Sequence, residues 1–444
     1  PATVAAGIEI LEEGGSAADA AVAACLASCV AETVMTGLLG GGHAIHWDGR
    51  EAVNLDCFVT VPSGVGAPPI DLAVPFGEEI VHYGVGPGTC GVPGLPAGLG
   101  ALWERFGRLP WSRLVEPALE LARTGVVLPP AHASCLAMLE PVFTLSPAGR
   151  AIHAPGGRLL EAGGVLAQPG LATALEALAA EGSNSVYRGS IGAALLHGID
   201  GVPLVPGDLE SYEVRWSAPV EAKLAGCRVL TRAGLSGVPQ ALGRLPRLNR
   251  LSETQRVPVL LAALEGPERD GHTTNLTVVD AAGCACVLTT SLGLGTGDFL
   301  PGFDLHLNSM LGEVDLQHVP LVAGERMESM MAPSLAFDAA GLALAIGSAG
   351  GTRLRTALIG VAASILDEDL AAVEAVDRPR FHPVGELVHA EPGVDEEALA
   401  LLEAAGRSVR RWPDRHHYFG GVSVVGRSGA AGDPRRSGHA ARVG

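Results

Sequence analysis

The sequence predicts an α+β protein in which helices and sheets are stacked as layers. Strand-like and helix-like segments fall in separate blocks, without the regular βαβ alternation of a doubly wound parallel sheet. Apolar residues make up 48% of the 444 residues, enough for a sizeable core. Glycine is plentiful at 60 residues while aromatics are only 4%, so that core must be built from small side chains with backbones close together. The length allows up to about three average domains, or one large sandwich.

Val4, Ile8 and Leu11 recur at helical spacing, and Gly14-Gly15 stops that helix. Ser16 caps a second helix, with Asp19 in the capping-box position. Its interior, residues 20–30, is dominated by alanine, valine and cysteine, so burial on most sides is expected. Gly40-Gly41-Gly42 then precedes a hairpin of strands 43–47 and 51–56 about an Asp48-Gly49 turn. This triple glycine lacks phosphate-loop spacing, and close backbone packing is the expected reason for it. Residues 58–96, rich in Pro and Gly, read as irregular. Helices are expected over 97–106, 112–124 and around 170–181. Pro206-Gly207-Asp208-Leu209 leads into paired strands 212–216 and 220–230, and residues 233–271, mixed in charge and proline, read as a mobile connection. Strand pairs follow: 276–279 with 285–290 about Ala281-Ala282-Gly283, then 335–337 with 342–346. Helices 352–365 and 395–405 complete the pattern, with no internal repeat.

Composition removes several function classes. A net charge of −18 argues against a nucleic-acid partner. The chain has a single lysine, Lys223, in an exposed-looking strand with no glycine loop before it. Schiff-base chemistry and a Walker A loop, which both need a lysine, are therefore set aside. The eight cysteines include no CxxC pair and read as small buried hydrophobes. His43 and His46, three apart in a strand, point to opposite faces and cannot chelate one metal together. His416-His417 reads as a solvated loop, so no metal site is expected. No apolar run approaches the roughly 20 residues needed to span a bilayer, and no membrane partner is expected. No leader peptide is visible after Pro1, and a cytoplasmic or a periplasmic or secreted setting is equally compatible.

The most informative stretch is 271–280, GHTTNLTVVD, which sets two threonines directly ahead of a short strand. Threonine is an ordinary strand residue. Here it keeps company with a second polar strand end, Thr289-Thr290-Ser291, and with Gly347-Ser348-Ala349-Gly350-Gly351-Thr352-Arg353. The combination resembles the parts of an N-terminal-nucleophile hydrolase, in which the chain cuts itself to expose a threonine.

Further segments narrow that resemblance. They are Ala6-Gly7 through Gly14-Gly15 to Ala18-Asp19-Ala20-Ala21, Gly37-Leu38-Leu39-Gly40-Gly41-Gly42, Val92-Pro93-Gly94, residues 116–125, and Asp208-Leu209 with Tyr212. Late in the chain come Arg378-Pro379-Arg380-Phe381-His382 and Gly432-Asp433-Pro434-Arg435. Each alone is weak, but in this order the chain resembles the γ-glutamyltransferase (γ-glutamyl transpeptidase) family over nearly its whole length. The resemblance implies a four-layer αββα sandwich. It also implies cleavage between His272 and Thr273, leaving residues 1–272 and 273–444 as two parts of one domain that stay together as a heterodimer. It maps the nucleophile to Thr273, a supporting hydroxyl to Ser291, and oxyanion donors to Gly350 and Gly351. Glu313, Ser329 and Thr289 fall at substrate-binding positions. The substrate implied is a small γ-glutamyl or other acyl amide, handled without metal or organic cofactor.

The chain departs from the family pattern in the glutamyl pocket. No arginine occurs in 57–78, where the family places one for the substrate α-carboxylate. Glu313 replaces a shorter aspartate, Met310 and Met330 replace polar residues, and Asn275 replaces a histidine. An asparagine expected near Gly293 is absent, and the segment before Thr273 is short. Loss of a charge-assisted arginine fork weakens the case for a free γ-glutamyl group, unless Arg326 or Arg353 substitutes. Two alternatives therefore stand beside a γ-glutamyl enzyme: a cephalosporin-acylase-like amidohydrolase with another acyl group, and an unprocessed, non-catalytic scaffold.

Overall fold

The computed structural model describes residues 1–76, 79–265, 273–313, 316–317, 320–351 and 353–444. Two antiparallel sheets lie face to face. The first runs Thr274–Val279, Ala285–Ser291, Gly41–Trp47, Ala52–Cys57, Arg215–Ser217. The second runs Gly429–Gly432, Gly421–Gly426, Gly341–Ala349, Ser334–Asp338, Cys227–Thr231, Val220–Leu224. Ile45, Val287, Leu335, Phe337 and Ala345 fill the space between them. Helix Ala17–Ala31 covers the outer face of the first sheet, against Thr274–Val279 and Ala285–Ser291. Helix Arg353–Leu366 covers the second, against Gly341–Ala349 and Gly421–Gly426. The result is the αββα sandwich that the resemblance implied.

Local chemistry explains the inner helix. Ser16 accepts the Asp19 N–H, and Asp19 accepts the Ser16 N–H in return, a complete capping box. Every residue from Ala17 to Val30 is buried, so the alanine-rich composition lets the helix approach the sheet closely on one side and its neighbouring helices on the others. The triple glycine has the reason expected of it. A Cβ at Gly40, Gly41 or Gly42 would strike the backbone of Ser291, Phe58 or Thr289, each at less than 3.0 Å.

Three expectations are corrected. Residues 58–96 contain a hairpin, Ile70–Phe76 with Glu79–Val85, because a two-stranded ribbon has outer edges where Pro75 needs no N–H partner. Strands 212–216 and 220–230 do not pair. Arg215–Ser217 joins the first sheet, while Val220–Leu224 folds onto Cys227–Thr231 through a turn with Ala225 and Gly226 both at positive φ. The supposed connection after 233 holds two helices, Val238–Arg244 and Glu253–Leu264. The second is capped by a Ser252–Gln255 box, a signal outweighed in the sequence by Pro239 and Pro258. Residues 266–271 of that stretch lie outside the described residues.

Candidate active site

Thr273 stands immediately before the edge strand Thr274–Val279 of the first sheet, only 6% exposed. Its hydroxyl oxygen accepts a hydrogen bond from the Gly350 N–H at 2.8 Å. Gly350 and Gly351 follow strand Gly341–Ala349 and precede helix Arg353–Leu366, with φ of +125° and +60°. Only glycine adopts the first of these without strain. Space is equally limiting, since a Cβ on Gly350 would come within 2.7 Å of the Gly420 Cα. The glycine turn is thus pinned from outside by the loop ahead of strand Gly421–Gly426.

That loop is held by the late arginine motifs. Arg380 donates to the carbonyls of Phe419 and Gly420, at 3.3 and 3.2 Å, and pairs with Asp433 at 2.5 Å. Arg435 pairs with Glu391 at 2.5 Å, and Asp433 also accepts the Val422 N–H at 3.0 Å. These charges are almost wholly buried and hydrogen-bonded, the condition under which burying ions is tolerated. Their geometry supports the glycine turn from behind.

Thr273 borders two cavities. The larger, about 470 Å³, is lined in part by Glu32, Met35, His132, Thr274, Asp433 and Arg436. Arg436 reaches the Thr273 carbonyl at 3.3 Å, and Thr274 donates to Glu32 at 3.0 Å. Burial lowers the pKa of both Arg436 and His132. The smaller cavity, about 30 Å³, brings Thr273 together with Ser291, Glu313, Ser329 and Gly351. Its remaining wall is apolar: Phe58, Met310, Leu316, Met330, Met331 and Leu354.

Most of the expected site residues therefore converge. Ser291 accepts the Gly293 N–H at 3.0 Å, and Ser329 accepts the Met331 N–H at 3.2 Å, so each hydroxyl also shapes its own turn. Thr289 does not line either cavity. It donates to Asn275 at 2.6 Å, and Asn275 donates in turn to Ser423, tying the two sheets together. Arg436 and Glu32 were missed. Arg436 directly follows the Asp433-Pro434-Arg435 motif, which is a signal available in the sequence, whereas Glu32 carries no local one.

Neither suggested arginine enters the small cavity. Arg326 donates to the Phe58 carbonyl, the Tyr212 hydroxyl and the Glu213 carbonyl, with its guanidinium 4.7 Å from the Tyr212 ring centroid. Arg353 donates to the Tyr418 carbonyl at 3.2 Å and lies over the Tyr418 ring. Arg232 is spent on the main-chain carbonyls of Ser329 and Met331, at 2.9 and 3.0 Å. Among the described residues lining the small cavity, Glu313 is the single one with an ionisable side chain.

Comparison with known proteins agrees with this architecture. The family model for Gamma-glutamyltranspeptidase matches residues 3–256 and 247–443. The Acylase ACY 1 proenzyme of Pseudomonas sp. (strain V22) is 28% identical over 507 aligned positions, covering 96% of this chain and 88% of that protein. Glutathione hydrolase proenzyme 1 of Schizosaccharomyces pombe is 25% identical, covering 93% and 78%. The crystal structure of cephalosporin acylase from Bacillus halodurans superposes with a TM-score of 0.83 at 21% identity, over 100% of this chain and 95% of that one. A sandwich with a threonine at its sheet edge, facing a paired-glycine turn, is the fold of the N-terminal-nucleophile hydrolases. The chain is an enzyme of that fold and belongs to the γ-glutamyltranspeptidase family.

Proposed function

We propose that this chain is a self-processing threonine amidohydrolase or acyltransferase whose nucleophile is Thr273. In maturation the Thr273 hydroxyl attacks the carbonyl carbon of His272, and the peptide bond becomes an ester as the amide nitrogen takes up a proton. Water hydrolyses that ester, leaving a carboxylate on His272 and a free α-amine on Thr273. The parts 1–272 and 273–444 remain one sandwich, since Thr274–Val279 pairs within a sheet that also contains Gly41–Trp47.

In turnover the α-amine, with an ordinary pKa of about 7.7–8, takes the hydroxyl proton as the oxygen attacks the substrate amide. Base and nucleophile belong to one residue, which fixes their proximity. The N–H groups of Gly350 and Gly351 stabilise the oxyanion. The amine-borne proton passes to the leaving nitrogen, the acyl group stays on Thr273 as an ester, and water or an amine acceptor releases it. No step calls on a metal or an organic cofactor.

The observation that carries this reading is the 2.8 Å bond from Gly350 N–H to the Thr273 oxygen at the junction of two cavities. The small cavity suits the acyl group and the large one the leaving amine. Its apolar wall, with no arginine among the described lining residues, favours an acyl group other than free γ-glutamyl. A γ-glutamyl donor of the glutathione kind is the second reading, supported by the family and by Glu313, a substrate-binding position of the resemblance, lining the small cavity.

Denaturing electrophoresis of purified protein tests the proposal. Two fragments of 272 and 172 residues are expected from the 444-residue chain, the smaller starting Thr-Thr-Asn, and Thr273→Ala should give one uncut band. A single uncut band from the wild-type protein refutes self-processing and favours the scaffold.

A further inference from the structure

His416 and His417, expected in a solvated loop, are packed instead, the first half-buried and the second buried. His416 caps the short turn His417–Phe419: its ring Nδ1 accepts the Tyr418 N–H at 3.1 Å, and its carbonyl accepts the Phe419 N–H at 3.2 Å. An imidazole nitrogen accepts only while it carries no proton, so this cap exists only on the neutral ring. Gly420 closes the turn, with φ of +74° and its N–H on the His417 carbonyl at 3.2 Å. Gly420 is also the residue packed against the glycine turn of the site. The next residue, Gly421, pairs with Ala349, and a Cβ on Gly420 would come within 2.8 Å of the Ala349 carbonyl oxygen. Contacts therefore run unbroken from the His416 ring, through three residues and Gly420, to the Gly350 N–H on Thr273. His416 itself lines neither cavity that Thr273 borders.

The surroundings of His416 oppose a charge on it. Burial and Arg436 hold it below the ordinary histidine value, against the pull of Glu391. The His417 ring lies 4.0 Å away and the Trp412 ring 4.9 Å away, centroid to centroid. Trp412 donates in turn to His389 at 3.0 Å, and Arg415 is paired with Asp377 at 3.0 Å. Behind the turn, Arg353 lies over the Tyr418 ring and Arg380 donates to the Phe419 and Gly420 carbonyls. A proton on Nδ1 would set two donors, the ring N–H and the Tyr418 N–H, against each other beside Arg436. We infer that His416 is a positioning residue: its neutral ring holds the turn His417–Phe419, and through Gly420 the Gly350 N–H, in place for the oxyanion, and acid releases them. The inference rests on Thr273 as nucleophile and Gly350 as oxyanion donor, and adds a pH control to that site.

The test uses full-length, cleaved protein and whichever of the butanoyl, glutaryl and γ-glutamyl p-nitroanilides it hydrolyses fastest. One required deprotonation, that of the Thr273 amine, gives log kcat a slope of about one on its acid limb. Release of the turn by a second proton should steepen that slope toward two below about pH 6.5. His416→Asn keeps a capping acceptor that does not titrate, so its slope should stay near one throughout. His416→Leu has no acceptor, and should lose about fivefold in kcat at neutral pH with KM little changed, the scale of one missing cap. His416→Asn should recover most of that loss. Hydrogen exchange supplies a readout independent of turnover: corrected for intrinsic rates, protection of residues 416–422 should fall about fivefold in mild acid in the wild type, and not in His416→Asn. Equal slopes in the two proteins, a His416→Leu loss confined to KM, or an equal change in protection overturns the inference while leaving Thr273 as nucleophile. If no anilide turns over and mass spectrometry finds no acyl adduct on the Thr273 peptide, the nucleophile reading falls instead. The turn then has no oxyanion donor to position, and this inference falls with it.

Discussion

The Gly350 N–H donates to the Thr273 hydroxyl oxygen across 2.8 Å, from a backbone conformation, φ +125°, that excludes a side chain. That hydrogen bond fixes the direction of the nucleophilic oxygen at rest, and in the proposed reaction the same N–H turns to the substrate carbonyl oxygen, where negative charge grows on attack. A methyl group at Gly350 would press on the Gly420 Cα at 2.7 Å and on Arg436 at 3.1 Å, and the turn would have to move. Gly350→Ala should therefore lose about 10²–10³ in kcat, the usual loss for one oxyanion donor. Single-turnover kinetics on cleaved protein check this, and a loss under threefold would remove Gly350 from the oxyanion role.

Arg436 bonds the Thr273 carbonyl at 3.3 Å and the His417 carbonyl at 3.4 Å. A buried guanidinium this close opposes protonation of the Thr273 amine, once that amine is free. Arg436→Met should raise the amine pKa, moving the acid limb of the kcat/KM–pH profile to higher pH by about half a unit to one unit. A purely structural role for Arg436 would lower the plateau and leave the limb in place.

The layers were legible in the sequence because their signals are local and strong. Ser16 with Asp19, the strand pair about the Ala281-Ala282-Gly283 turn, and the glycines at 40–42 each state their own structure. Helix Glu253–Leu264 was hidden because its interior Pro258 reads as a breaker, although its apolar face is completed by packing on Glu396–Ala404. Thr273, Ser291, Gly350 and Gly351 could be named in advance from ordered motifs. Thr289 lines neither cavity, because its hydroxyl is taken by Asn275 on the neighbouring strand, and Asn275 stands between it and the larger cavity, a relation that spacing does not show. The use of Arg326 and Arg353 on main-chain carbonyls is equally non-local, and spacing alone gives no sign of it.

Asp19 does more than close a capping box. One of its oxygens accepts the N–H of Ser16 at 2.9 Å, of Arg108 at 2.8 Å and of Leu109 at 3.3 Å, joining helix Ala17–Ala31 to the loop after Leu95–Phe106. The residue is fully buried, so its removal strands several donors. Asp19→Ala should cost about 2–4 kcal/mol, the sum of a lost cap and unsatisfied buried N–H groups. Urea unfolding of the uncut Thr273→Ala background gives the cleanest measurement, and a change below about 0.5 kcal/mol would contradict this account.

Acid should loosen the protein through histidines buried as neutral rings. Phe143, His153, Phe299 and His306 pack together with ring centroids 4.4–5.5 Å apart. His306 accepts the Gly297 N–H at 2.9 Å, a role open only to the unprotonated ring nitrogen. Burial drives His153 down to about 4 and His306 to about 3. Both folded values lie below that of an exposed histidine, about 6.5, so the unfolded chain binds protons first. Their contribution is fully present above about pH 6.5 and declines as pH falls toward 4 and then 3. His153→Leu abolishes one of these titrations, and should reduce the loss of stability between pH 6.5 and 4 by up to roughly 3 kcal/mol. Urea unfolding at both pH values provides the comparison. An equal loss in variant and wild type would show that His153 is protonated without penalty in the folded chain, and that the ring cluster is wetter than its packing indicates.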